Sequence, residues 1–238
     1  MELYTKIEDE CTNKKDTLTK IKTIPFRYRF NLVDKKFYYL HSIPIIYSLW
    51  EGFFQIVIEF YLKYLNEIGI ETNKINNSLL IFVAEYTEIK IQNYPQKELK
   101  KLEYLEKLKK IFGNQFVELP IVVNTESNLK FKPLNLMLKN IGLIEFSEFE
   151  QVDNIPIDIK NKFFPNTPQK YPIEDELRHL VDIRNDISHT SSYQDAEITE
   201  IYIDRFIFLV NYLIEQISEK IKKAIENKTY LKEEFRNT

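Results

Sequence analysis

Apolar residues run almost unbroken from Phe37 to Leu65, FYYLHSIPIIYSLWEGFFQIVIEFYLKYL, and the polar residues among them are regularly placed. Glu51, Gln55, Glu59 and Lys63 recur every fourth residue, which sets them in one stripe along an otherwise apolar helix. The segment is long enough to span a bilayer. However, His41, Glu51, Gln55 and Glu59 interrupt it, and charge at the centre of a spanning helix is costly. The pattern therefore predicts a buried helix of a soluble domain, its stripe facing water or other polar groups.

Downstream the chain also reads as helical. Gly69 is a candidate C-terminal cap, followed by the apolar run NSLLIFVAEYTEIKIQ and by the charged amphipathic stretch QKELKKLEYLEKLKKIFG, which Gly113 closes. FVELPIVVNT, near 116–124, is the one stretch with a strand-like pattern and is expected to be extended or irregular. A short helix is predicted in KPLNLMLKNIGL, with Pro133 tolerable in its first turn and Gly142 past its end. From Glu148 to Pro172 four prolines, Pro156, Pro165, Pro168 and Pro172, predict a loop. A long last helix is expected from about Asp195, its candidate N-cap, to Asn227, burying Ile198, Tyr202, Phe206, Leu209, Leu213, Ile217 and Ile221. The expected fold is all-α. Residues 1–34, polar and mixed in charge, are set apart as an N-terminal extension, and 35–238 form one helical domain.

One helix breaks the usual partition of polar and apolar residues. In ELRHLVDIRNDISHT, Glu176 to Thr190, about 100° per residue places Leu177, Leu180, Val181 and Ile187 within about 80° of Ile173. Arg184 falls about 20° from Ile173, in the middle of that apolar face. Glu174, Asp175, Arg178, His179, Asp182, Asn185 and Asp186 occupy the other side. A buried guanidinium keeps its charge and needs acceptors, either a carboxylate or a phosphate. The stripe containing Glu51 and Glu59 is the internal candidate, which makes a structural Arg–Glu pair the plain reading and an anion-binding arginine the functional one. His189 lies about 140° from Arg184 on an uninterrupted helix, so the two meet only if the helix bends or ends between them, or if a second copy completes the site.

Composition narrows the chemistry. The 238 residues carry one cysteine, Cys11, so neither an internal disulfide nor a cysteine-based zinc site is expected, which suits a reducing compartment. The cytoplasm is the expected location, since no apolar signal segment stands near the start, and the Asn-x-Ser/Thr sequons at Asn76 and Asn227 carry no weight. Four glycines disfavour a Gly-rich phosphate-binding fold. No P-loop or nucleophile elbow is present, and His179 and His189 lack metal-ligand spacing. The net charge of −3 is not that of a general nucleic-acid binder, so any RNA site must be local. The lysine clusters in KELKKLEYLEKLKK and EKIKKAIENK read first as solvated faces with Glu–Lys pairs.

LVDIRNDISHT resembles the signature of HEPN domains, all-helical modules whose motif is an arginine, four to six residues, then a histidine, often with Asn, Asp or His directly after the arginine. Arg184, Asn185 and His189 fit it, and LWEGFF (Leu49 to Phe54) and TESNLKFKPLNLMLKNIGL are similar to segments of the bacterial MAE_28990/MAE_18760-like subfamily. The resemblance runs from about residue 34 to 230. It implies a helical bundle with metal-independent cleavage of RNA, commonly by toxins or phage-defence effectors. In that chemistry the ribose 2′-OH attacks the adjacent phosphate, His189 moves a proton and Arg184 offsets charge in the transition state. Asn185 is expected in support, bonding phosphate, orienting His189 or capping the helix end. Glu51 is expected to orient Arg184, to bear on the proton relay or to form an ion pair. The resemblance further implies a homodimer through the motif helices and an antitoxin or defence partner. No cofactor, membrane or DNA is expected. Some relatives carry a tyrosine two residues after the histidine that a nucleotidyltransferase antitoxin modifies. Here that position is Ser191, with Tyr193 two further on. The alternative is a non-catalytic module that binds a nucleotide or a partner protein.

Overall fold

The computed structural model describes residues 2–86, 128–148, 172–189 and 198–236, with positions 100–103, 106, 109, 113, 116–123, 125, 150 and 152 between them. Six α-helices are described: α1 (Glu2–Arg27), α2 (Leu32–Ile68), α3 (Asn77–Tyr86), α4 (Phe131–Asn140), α5 (Ile173–His189) and α6 (Glu200–Glu226). A short 3-10 turn, Glu233–Phe235, follows them. Among the described residues there is no strand, only isolated bridges at Glu71–Phe116 and Ile75–Leu231. The all-α expectation holds.

The long apolar run becomes α2, the central element, which packs on α1, α5 and α6. Its length and hydropathy would allow it to cross a membrane. In the fold its apolar side chains are core, with Trp50, Phe53, Phe54, Val57, Ile58, Tyr61 and Leu62 fully covered. Burial of each such side chain is worth about 1.5–3 kcal/mol. Three members of the polar stripe lie where expected: Gln55 Nε2 reaches Thr125 Oγ1 at 3.4 Å, and Glu59 pairs with Lys63 at the surface. Asn31 caps α2 by accepting from the Asp34 backbone N–H at 2.9 Å, and Gly69, at φ 62°, ends it as predicted.

Residues 1–34, set apart as an extension by their polar composition, contribute α1. Leu3, Ile7, Leu18 and Ile21 of this helix join the same buried core as α2 and α6. Few apolar residues are needed because they recur at helical spacing on one face, and the lysines, glutamates and threonines between them hide that spacing from a reading by composition.

The segment 116–123 is irregular, as expected, and is clamped by Asn66, which donates to the Leu119 carbonyl at 2.9 Å and accepts from its N–H at 2.7 Å. Helix α4 ends at Asn140, with Gly142 at φ 75° in the left-handed region. The last helix begins at Glu200 rather than near Asp195, with Thr199 at the N-cap position making no side-chain cap bond. Asp195 lies outside the described residues, as do most of the 87–112 stretch and the proline-rich 153–171 stretch. The predicted core of α6 is otherwise met: Phe206, Leu209, Leu213, Ile217 and Ile221 are buried and Tyr202 is partly buried.

Candidate active site

Helix α5 follows from an apolar face flanked by acids. Glu174, Asp175 and Glu176 sit in its first turn, where they complement the helix dipole. Ile173, Leu177, Leu180 and Val181 are fully buried against the core, which fixes the rotation of the helix and carries Arg184 inward. Arg184 is half-buried, as its place on the apolar face requires.

Its partners are not those expected. Among the described residues no carboxylate pairs with Arg184. One terminal nitrogen, Nη1, donates to Asn185 Oδ1 at 2.7 Å and to Asn128 Oδ1 at 3.3 Å. The guanidinium carbon stands 4.8 Å from the centroid of the Tyr47 ring, a cation–π contact. The anticipated Arg184–Glu51 ion pair is not formed, because Tyr47, one turn before Glu51 on α2, supplies the surface against which Arg184 lies. Glu51 Oε1 is buried without a hydrogen bond among the described residues. Burial pushes the Tyr47 hydroxyl well above the usual phenol range, and the neighbouring Glu51 carboxylate adds to this; the Leu129 N–H and Arg184 act in the opposite direction. That hydroxyl accepts from the Leu129 N–H at 2.6 Å and so holds the segment before α4 against α2.

Three separate stretches thus meet. Residues of LWEGFF and the turn before it come from α2, Asn128 and Leu129 come from the segment leading into α4, and Arg184 and Asn185 come from α5. Lys130 Nζ to Asp182 Oδ1, at 3.1 Å, ties the last two together at the surface. Tyr47 and Asn128 touch Arg184 and so join the candidate site, although the sequence alone does not single them out. Signals for both were present: Asn128 lies within TESNLKFKPLNLMLKNIGL, and Tyr47 shares the α2 face of Glu51. Asn185, for which three roles were open, bonds Arg184 itself.

His189 is the last residue of α5, and the helix is unbroken from Arg184 to it. The two positions therefore stand about 140° apart around the axis and about 7.5 Å apart along it. The His189 side chain, Ser191 and Tyr193 lie outside the described residues. Among the described residues no group of three or more His, Cys, Asp or Glu is placed to hold a metal ion.

The buried Arg–Glu pair of this helix lies elsewhere. Glu176, 5% exposed, accepts both Nε and Nη2 of Arg205 from α6 in a bidentate pair. His179 follows one turn later, its ring against Tyr202 and Phe206. Burial lowers its pKa below the ordinary histidine value, Arg205 adds to that, and Glu176 and Asp182 oppose it.

No curated protein and no solved structure matches the chain. A family model does, over residues 3–230, a span that takes in α1 as well as α2 and the Arg184 helix. With the helical bundle and the Arg-x4-His helix both in place, the chain belongs to the family of MAE_28990-like HEPN domains.

Proposed function

We propose that this chain is a metal-independent endoribonuclease of the toxin or phage-defence kind, with Arg184 and His189 as its catalytic residues. Family membership supports an RNase-like or nucleotide-binding module. The finer reading rests on one observation: Arg184 is half-buried yet, among the described residues, has only amide oxygens and a tyrosine ring as partners. Neutral dipoles orient a guanidinium without cancelling its charge, so the fork is left for an anion. A phosphodiester supplies one.

In the reaction the ribose 2′-oxygen bonds to phosphorus and the bond from phosphorus to the 5′-oxygen breaks. A base takes the 2′ proton and an acid returns one to the leaving oxygen, giving a 2′,3′-cyclic phosphate and a 5′-hydroxyl. His189 serves the proton step, for which its near-neutral pKa suits it. Arg184 meets the charge gathering on the non-bridging oxygens. Asn185 and Asn128 hold the guanidinium, and Tyr47 supports it from below.

The unbroken helix between Arg184 and His189 favours a site completed by a second copy, with the two motif helices facing across a two-fold axis. The cytoplasm and an antitoxin or defence partner belong to the same reading. The test mixes a His189→Ala chain with an Arg184→Ala chain, each inactive alone. Recovery of cleavage in the mixed dimer, with cyclic-phosphate ends, is expected. Cleavage by a monomer, or 5′-phosphate products, overturns the composite site or the mechanism respectively. The non-catalytic alternative predicts nucleotide or phosphate binding through Arg184 and no cleavage by any mixture.

A further inference from the structure

The tip where α1 turns into α2 is exposed and rich in large side chains. Tyr28 is 72% exposed, Leu32 80%, Val33 76% and Phe37 67%. Four cations, Arg27, Arg29, Lys35 and Lys36, stand there against one carboxylate, Asp34, a local net charge of +3 in a chain whose total is −3. Lys35 lies over the Phe26 ring, 4.9 Å from its centroid. Arg27, Arg29 and Lys36 make no ion pair among the described residues.

This tip is built rather than loose. The Phe30 N–H reaches the Pro25 carbonyl at 3.0 Å and the Arg29 N–H that of Phe26 at 3.2 Å, the paired bonds of a Schellman end, and Asn31 then caps α2. Arg29 takes φ 51°, a conformation that glycine adopts at no cost, so the turn carries a guanidinium where glycine would be easiest. Rings and charges are thereby presented on ordered helix ends.

The patch is also aligned with the site. On α2, Phe37, His41, Pro44 and Ser48 fall within about 120° of Tyr47 on one side of the helix. The Phe37 and His41 rings are in contact, with centroids 4.2 Å apart. Phe37 is about 15 Å along the axis from Tyr47, on which Arg184 rests. We infer that the α1–α2 tip and this side of α2 bind single-stranded RNA, with bases stacking on Tyr28 and Phe37 and phosphates meeting Arg27, Arg29 and Lys36, so that the strand leads into the Arg184 site. This deepens the ribonuclease reading and rests on it for the substrate. It places the positive surface that an acidic RNA-cleaving chain needs. A tip that merely enters a membrane has no use for a row of side chains leading to Arg184.

The test measures binding of a 2′-O-methyl single strand, which cannot be cut, to the full chain by fluorescence anisotropy. Tyr28→Ala with Phe37→Ala should weaken binding at least about fivefold per ring, since each removes one base stack. Arg27→Ala with Arg29→Gly and Lys36→Ala should also lower the salt dependence, by about 2 in the log–log slope. All five side chains are exposed, so helix content and Tm should hold. Unchanged strand binding in both sets overturns the inference. So does loss of binding only to phosphatidylserine vesicles, which makes the tip a membrane anchor. Conversion of a dimer to a monomer by the tip variants, seen in sedimentation, also overturns it, because a second copy then covers the patch. Tip-dependent strand binding without cleavage of all-ribose RNA leaves the surface standing and removes the ribonuclease reading instead.

Discussion

Arg205 and Arg184 meet the same helix about two turns apart and are treated in opposite ways. Arg205 enters from α6 and finds Glu176, whose carboxylate accepts from its Nε and Nη2 in a covered setting. Arg184 projects from α5 itself and finds two amide oxygens and a ring, with no carboxylate among the described residues. The first charge is cancelled within the protein, so its work is to join two helices. The second is oriented and, among the described residues, left without a counter-charge. A buried ion pair is weak evidence of function, whereas a half-buried guanidinium that meets neutral groups alone among the described residues keeps a charge able to take an anion, which is what the proposed reading uses.

The largest expected effect therefore lies at Arg184. Arg184→Ala should lower RNA cleavage by at least about a hundredfold, the scale of removing a transition-state charge donor. Its stability should change by less than about 1 kcal/mol, because the lost cation–π contact is small. Arg184→Lys should not restore cleavage, since an ammonium cannot reproduce the fork. Cleavage within tenfold of the parent chain for Arg184→Ala would end the catalytic assignment.

Glu176→Ala should do the reverse. It leaves the Arg205 charge without its covered partner and should cost about 3 kcal/mol, at the lower end for a broken buried pair because Arg205 retains some contact with water. Denaturant unfolding measures this, and cleavage per folded molecule should be unaltered. A neutral result in stability would show that the pair contributes as little as a surface one.

Asn128→Ala tests the orientation of Arg184. Its hydrogen bond to Arg184 is long, at 3.3 Å, and the shorter bond to Asn185 persists, so cleavage should fall only about tenfold, with most of the loss in kcat. Asn128→Ser should recover part of it, which a merely structural role of this residue would not predict.

The same comparison explains what the sequence made legible. Arg184 stood out because the apolar period of α5 ran straight through it. Glu176, also on the inner side of that helix, did not stand out, because an acid in a first turn already has a sufficient reason to be there, namely the helix dipole. Its partner Arg205 lies on another helix, and no local pattern joins the two. Tyr47 and Asn128 were hidden for a similar reason: each is ordinary in its own segment and becomes a site residue only when α2, the 125–130 segment and α5 are packed together. The place of α1 in the core is hard to see in the sequence because its Leu3, Ile7, Leu18 and Ile21 are sparse in a charged segment, although their spacing is helical. The buried faces of the long periodic helices α2 and α6 are legible in the sequence, since there burial and periodicity give the same signal, whereas the start of α6 at Glu200 is not.

The smallest effect concerns pH on the Arg205 side of α5. His179 lies between Glu176 and Asp182 in sequence and beside Arg205 and the Tyr202 and Phe206 rings, and its pKa is lowered, first by burial and then by Arg205. The folded chain thus binds a proton there less readily than the unfolded chain, whose histidine titrates near 6.5. Above that pH the imidazole is neutral in both states and its contribution is fully present. As pH falls below it, the unfolded state takes up the proton first, and stability is lost progressively down through the lowered folded value. The Tm of the parent chain should therefore drop slightly more between pH 7.5 and 5.5 than that of His179→Phe, which keeps the ring packing and cannot titrate. Equal drops in the two would show that Glu176 and Asp182 hold the imidazolium well enough to offset burial and Arg205, and the contrast between a closed ionic region and an open arginine would then be less sharp at this helix than the Glu176–Arg205 pair suggests.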